Sequence, residues 1–411
     1  MAGTPKEINL CEQSQCTGCM ACKQACQSKA IAIKTIDGFA YPEINRDVCK
    51  SCGKCMNVCP ILNLKGQRGN CHKDTQTCLA AWNKSDDVRI KSSSGGVFSA
   101  LAEYVLSRGG VVFGAAWDSN MVLRHKAIDR IEDLESIRKS KYVQSDVGET
   151  FNQALQYLKA GRIVLYCGVH CQIAGLKSFI GRDYENLYLV DVLCQGVPSP
   201  ATFRSYLDEI EKEYSSKVVD CDFRNKDKAW KCGLSMNLAL ENGAKIRRIL
   251  SRNEYYNAFY QEFFCRSSCY SCNFKKNKQG FFSDVTIADF WRIGNKIPLP
   301  KTVEQKYAKG ISAVLINTEK GKSLFEQSSC KIEFIERTWN EFSTNGGLYP
   351  SSKPIHNDEA KHYLENHNWH ETQQQFFPLT QRKKIRNILI LTLGEKNIRI
   401  VKKILRRILR K

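Results

Sequence analysis

No stretch of eighteen or more apolar residues occurs in the chain, so nothing in it is long enough to cross a bilayer as a helix. The opening MAGTPKEINLCEQSQC also lacks the charged start, apolar core and small-residue cleavage site of a secretory leader. Without a leader, the 20 cysteines do not read as the disulfide framework of a secreted scaffold. They point instead to reduced thiols and a cytoplasmic protein. Acids are nearly missing from one end: Arg382 to Lys411 hold twelve Lys or Arg against the single acid Glu395. Over half of the formal +20 therefore sits in a tail. That placement argues against a distributed nucleic-acid face, and no specific nucleic-acid partner is expected.

What is present divides into zones. A length of 411 residues is enough for two to four domains. Residues 1–70 are dense in cysteine and run into the Gly- and Lys-rich link LKGQRGNCHKD. Residues 78–340 form the body. Residues 341–381, rich in Asn, His, Gln and Pro, read as an irregular linker. In the tail, 382–411, Ile398, Val401, Leu405 and Ile408 recur at helical spacing among Arg and Lys, so a basic amphipathic helix is predicted. Each such cation near an anionic leaflet contributes about 1 kcal/mol, which makes a peripheral position at the inner membrane face one expectation. A helix docked on this protein or on a partner, and a crude nucleic-acid patch, are the alternatives.

The N-terminal cysteines carry the most specific signal. Cys16, Cys19, Cys22 and Cys26, then Cys49, Cys52, Cys55 and Cys59 followed by Pro60, are two copies of the bacterial ferredoxin ligand run. Three thiols two residues apart wrap one loop around three irons of a cube, and the fourth cysteine of each run serves the other cluster. The assignment is Cys16, Cys19, Cys22 and Cys59 to one 4Fe-4S cluster and Cys49, Cys52, Cys55 and Cys26 to the second. Zinc knuckles prefer paired CxxC units and fit this spacing poorly. Cys11 fits no ligand position. AIAIKTIDGFAYPEIN supplies short strands around a turn, as a ferredoxin-like module requires.

In the body, SSSGGVFSALAEYVLSRGGVVFGAAW reads as a Gly-rich turn, a helix, a Gly-Gly stop and a strand. FNQALQYLKAG, RIVLYCG, CQIAGLKSFIG and NLYLVDVLC continue as helix, strand, helix and strand. This alternation predicts a mostly parallel sheet covered by helices. VVDCDFRNK and SMNLALENGAKIRRIL read as an antiparallel or mixed subregion, and DVTIADFW and ISAVLINT as buried strands. The fold class is thus an α+β ferredoxin-like module, an α/β body with a mixed sheet, and a C-terminal amphipathic helix.

SSSGGVFSALAEYVL, SKYVQSDVG, VLYCGVHCQIAGLKSF, DVLCQGVPSP, FRNKDKAW, SCYSCNF and SDVTIADFW, in that order over residues 92–291, resemble the beta-subunit family of the coenzyme F-420 hydrogenases and dehydrogenases. The resemblance implies a flavin body, usually with FAD, that passes electrons between iron-sulfur clusters and a substrate or coenzyme. It extends to bacterial proteins from surface-polysaccharide gene neighbourhoods. Under it, Ser94, Gly95 and Gly96 at a helix start suit a flavin phosphate, and Lys141, Tyr142, Gln144 and Ser145 suit the ring or pyrophosphate. Taken alone, the first is a plain N-cap and turn, and the second a surface loop. Arg224 and Lys226 could hold an anionic cofactor or substrate, and Asp289 or Lys141 could serve as the catalytic group. A surface ion pair and a strand-end turn are the plainer alternatives. His170 stands where the family has a Thr-Pro or similar pair.

FFCRSSCYSCNF raises a third 4Fe-4S cluster, with Cys269 and Cys272 joined by Cys171 and Cys194, or by the local Cys265. Two functional readings follow. One is an iron-sulfur flavin oxidoreductase that takes electrons from reduced ferredoxin or a partner subunit and acts on a small organic substrate, or runs in reverse. The other is a non-catalytic electron-transfer subunit docked to a partner enzyme.

Overall fold

The computed structural model describes residues 8–64, 76–227, 230, 234–275, 280–294 and 296–379. The predicted amphipathic tail, 382–411, lies outside the described residues. Among the described residues no helix is long and apolar enough to cross a membrane.

Each cysteine run bends into a single turn of helix, α1 (Ala21–Ala25) and α2 (Lys54–Asn57), entered through left-handed Met20 and Gly53. Asp37 and Gly38 both hold positive φ, 51° and 73°, the pairing that tight two-residue hairpins favour. β1 (Ile31–Ile36) and β2 (Phe39–Ile44) therefore pair antiparallel, Ile36 opposite Phe39. The hairpin tip fits closely against the body, because a Cβ at Gly38 would lie 2.5 Å from Ala201 Cβ.

The body follows the predicted alternation. Its elements are β3 (Thr77–Asn83), α3 (Asp86–Ile90), α4 (Val97–Leu106), β4 (Val111–Trp117), β5 (Leu123–Ile128), α5 (Leu134–Ile137), α6 (Thr150–Lys159), β6 (Val164–Val169), α7 (His170–Ile180) and β7 (Leu187–Val192). Then come α8 (Pro200–Tyr214), β8 (Val218–Asn225), β9 (Ser235–Leu240), β10 (Lys245–Ile249), α9 (Glu254–Tyr260), β11 (Val285–Asp289), β12 (Ser312–Ile316), α10 (Glu319–Gln327) and β13 (Ile332–Arg337). An eight-stranded sheet has the order β13-β3-β12-β11-β7-β6-β4-β5. Parallel pairing is confined to β11-β7-β6-β4, so the sheet is mixed rather than mostly parallel. β5 turns straight back from β4 through a tight loop in which Asp118 accepts from the Val122 N–H. Among the described residues no crossover α-helix lies between β11 and β12, so β12 returns antiparallel. β10-β9-β8 form the separate antiparallel sheet expected from their alternation.

α4, α5 and α10 cover one face of the large sheet, with Leu101, Val105, Ile137 and Leu324 in the core. On the other face, α6 and α7 share an apolar cluster with Cys19, Met20, Ala21, Cys59 and Ile61 of the cysteine module. Module and body thus have one continuous core. α7 passes so near the module that a Cβ at Gly175 would sit 2.8 Å from Cys19 Cβ.

Of the segment 341–381, the described residues 341–379 are not the irregular linker their composition suggests. After α11 (Trp339–Phe342) they form α12 (Asn357–Asn366) and α13 (Trp369–Phe376). Trp369 and Phe377 are 2% and 1% exposed, in the core that α8 and β8–β10 build with Phe203, Tyr206 and Tyr255. Polar composition misled because a few aromatics carry the burial. Trp369→Ala should lower stability by about 3–5 kcal/mol, the usual loss for a buried Trp. The check is a reduced urea midpoint at unchanged slope; an unchanged midpoint would mean that α13 contributes nothing to the core.

Candidate redox site: a cleft joined to a line of cysteines

In the module, Cys16, Cys19, Cys22 and Cys59 line one small cavity with Cys11. Two separate runs thus converge with the soft thiolate donors an iron-sulfur cube takes. Cys55 lies within electrostatic reach of Cys26 and Cys49, and burial first, then these sulfurs, push its thiol pKa up. The crossover of each run's fourth cysteine to the other group therefore fits the side chains present.

A third group forms where remote segments meet. The Cys171 sulfur, at the start of α7, is within electrostatic reach of Cys272, Cys194, Cys269 and Cys19. Cys265 faces Cys269 and Cys194 from its buried position. Lys275, 6% exposed, points its charge at Cys269 and Cys272, and its ammonium has no hydrogen-bond partner among the described residues. A buried unpaired cation is costly unless an anion joins it. Lys275 carries no motif, so the sequence offered no sign of it.

Cys171 and Cys194 also line a cleft of about 440 Å³ at the carboxyl ends of β6, β7 and β11, where open α/β sheets receive ligands. Ser94, Gly96, Lys141, Tyr142, Gln144, Ser145 and Asp289 all reach this cleft. Gly95, Arg224 and Lys226 are not among its lining residues. Gly95 instead lets the loop approach the sheet, because a Cβ there would lie 2.4 Å from the Ala81 carbonyl oxygen. The serine hydroxyls are already engaged: Ser94 Oγ donates to the Ile311 carbonyl at 2.9 Å, and Ser93 Oγ accepts from the Ser140 N–H at 2.7 Å. Left-handed Gly96 opens α4 without a side-chain cap, which leaves first-turn N–H groups as the anion donors.

Lys226 Nζ donates to the Ser94 and Lys309 carbonyls, at 2.6 and 2.9 Å, so it braces the Ser94 loop from outside the cleft. Arg224, 1% exposed, pairs with Asp289 and lies 4.6 Å from the Trp291 ring centroid. Asp289 also accepts from Trp230 Nε1 at 3.2 Å, so both its oxygens are engaged. Lys141 Nζ donates to the Arg138 carbonyl at 2.6 Å, and burial pushes its pKa down to about 8. Tyr142 packs edge-on to Phe223, with centroids 5.5 Å apart. Gln144 faces the module: its Nε2 donates to the Thr17 carbonyl at 2.9 Å.

His125 was not singled out from sequence. It sits at an inward position of β5, among the cleft-lining residues, with Nε2 3.0 Å from the Cys167 carbonyl and Nδ1 3.0 Å from Ser145 Oγ. Gln172 closes the network, its Nε2 donating to Ser145 Oγ at 3.0 Å. Desolvation lowers the His125 pKa to about 4, so the ring is neutral at pH 7. His170, the first residue of α7, pairs with buried Asp191.

Residues 78–151 match the family model for the N-terminal part of the coenzyme F-420 hydrogenase/dehydrogenase beta subunit, and residues 161–338 match the model for its C terminus. The chain belongs to this beta-subunit family. Residues 15–62 match a 4Fe-4S dicluster domain. The F subunit of the F(420)H(2) dehydrogenase of Methanosarcina mazei is 22% identical over 351 residues, 81% of this chain and 87% of that protein. The ferredoxin-type protein NapF of Escherichia coli is 29% identical over 65 residues, 16% of this chain and 40% of that protein. A chain of the F-420-reducing nickel-iron hydrogenase complex of Methanosarcina barkeri aligns at a TM-score of 0.41 and 16% identity, over 63% of this chain and 81% of that one. As a member of the beta-subunit family, the protein is an iron-sulfur, flavin-dependent oxidoreductase, with two 4Fe-4S clusters on its N-terminal runs.

The neutral histidine gives this family member a pH-dependent stability. The His125 pKa in the folded state, about 4, lies below the ordinary 6.5. Between these values the unfolded chain binds a proton that the folded chain refuses. Stability is therefore full above about 6.5, falls as pH drops towards 4, and loses on the order of 3 kcal/mol in that window. His125→Gln should flatten this decline in denaturation curves at pH 4.5 and pH 7, and equal slopes in both proteins would contradict it.

Proposed function

We propose that the protein moves electrons between a one-electron carrier, reduced ferredoxin or a partner subunit, and an organic substrate or coenzyme at an FAD-holding cleft. The path runs through a third 4Fe-4S cluster on Cys171, Cys194, Cys269 and Cys272. One observation carries this reading: Cys171 and Cys194 line the cleft, while Cys171 also lies within electrostatic reach of Cys19 in the module. A line of sulfur therefore runs from the N-terminal clusters to the cleft wall. Bound flavin would supply the exchange between one-electron clusters and two-electron organic chemistry.

The chain's own groups divide the remaining work. The first-turn N–H groups of α4 are suited to an anionic phosphate. Neutral His125, fixed by Ser145 and Cys167, presents a polar but uncharged wall. Lys141 is the cleft residue suited to exchanging a proton near neutral pH, given its value of about 8. Asp289 is already paired with Arg224, and its role is to hold that guanidinium beneath Trp291 rather than to accept a proton. The cleft's size, about 440 Å³, favours an enzyme over a purely relaying subunit. The basic stretch 382–411 is assigned to an anionic membrane surface from its charge alone, twelve cations against one acid.

Anaerobic purification with iron and flavin analysis tests the core of this reading. The expected content is about twelve irons and one flavin per chain, falling to about eight irons with flavin retained in a Cys269→Ala, Cys272→Ala double variant. About eight irons in both proteins would exclude the third cluster. A spectrum without flavin bands would exclude the cleft assignment. For the tail, deletion of residues 382–411 should abolish binding to anionic liposomes, and unchanged binding would reject the membrane role.

A further inference from the structure

Arg266 belongs to the body but is buried within the cysteine module, 1% exposed. Its Nε donates to the Cys16 carbonyl at 2.6 Å and its Nη2 to the Ala40 carbonyl at 2.9 Å. Nη1 donates to Gln144 Oε1 at 3.0 Å, and Nη2 lies 3.8 Å from Cys16 Sγ. The Tyr41 ring centroid is 4.0 Å from the guanidinium carbon. These hydrogen-bond acceptors are neutral oxygens, and no carboxylate among the described residues pairs with the guanidinium. The fit is close, since a Cβ at Gly18 would lie 2.7 Å from Nη1. An always-charged group is thus fixed in a low-dielectric pocket beside a cluster ligand.

We propose that Arg266 sets the reduction potential of the cluster held by Cys16, Cys19, Cys22 and Cys59. A cluster with four thiolates is anionic and becomes more so on gaining an electron, so a fixed cation beside it and a donor aimed at a ligand sulfur favour the reduced form. Arg266 therefore raises the potential of the module's inner cluster, the one that abuts α7, and makes it the preferred resting place of an electron that has entered the module. The same arginine stands three residues before Cys269, so this charge is carried by the segment that also holds the third group of thiols.

The test is a reductive titration followed by electron paramagnetic resonance on full-length holoprotein. Arg266→Gln should move one cluster to lower potential by a tenfold or larger change in its reduced-to-oxidised ratio at fixed potential, about 59 mV for a one-electron couple. Arg266→Lys keeps the charge and should move it by clearly less. A Lys shift as large as the Gln shift would assign the effect to lost hydrogen bonds and overturn the role of charge. If Arg266→Gln sheds iron, Gln144→Glu decides, because a carboxylate placed at the Nη1 contact neutralises the guanidinium and should lower the same potential. Unchanged potentials in the iron-retaining variants would overturn the proposal. It rests on the two module clusters only, so finding about eight irons rather than twelve would end the third-cluster reading and leave this one standing.

Discussion

The close approach of α7 to Cys19 is the constraint on which the rest of the arrangement depends. Gly175 allows it, since any side chain there would push into the Cys19 sulfur. One turn earlier the same helix carries Cys171, which faces both the third group of thiols and the cleft. Helix geometry fixes the spacing of residues 171 and 175 on one face, so a single packing contact aligns the module with the cleft. The shared apolar core around Phe151, Ile173 and Ala174 then holds that alignment rigidly.

Charge is placed with the same economy. Arg224 is compensated by Asp289, and Lys226 is spread over backbone carbonyls. His125 avoids the cost of burial by remaining neutral. Arg266 and Lys275 differ from these, since each is buried without a carboxylate partner among the described residues and each faces cysteine sulfur. Nearby negative charge stabilises a buried cation that has no carboxylate, and the thiolates of the module's 4Fe-4S cluster supply it to Arg266. Arg266 lies beside Cys16 of the module, and Lys275 beside Cys269 and Cys272 of the third group of thiols.

Much of this was legible in the chain itself, for local reasons. Ligand runs such as Cys16 to Cys26 announce themselves because one loop supplies three ligands, and the helix-strand alternation from Val97 to Val192 is a matter of period. The direction of β12 was not legible, because it depends on how the chain returns after β11. The polar average composition of residues 341–379 hides their packing, although Trp369, Phe376 and Phe377 signal a packed helix. The pairing of Arg224 with Asp289 and the insertion of Arg266 at Cys16 join residues 65 and 250 positions apart, which no spacing rule reaches. His125 could have been found, as the inward-facing polar residue in the alternating strand LRHKAI.

At three places the seam between module and body depends on a missing side chain: Gly18 makes room for Arg266, Gly38 for Ala201, and Gly175 for Cys19. Two of these vacancies are on the module and one is on the body. The N-terminal domain is consequently no interchangeable cartridge, and a free ferredoxin of the same ligand spacing would not seat here without glycine at the matching positions. A graft between related proteins would therefore have to carry both halves of the seam together.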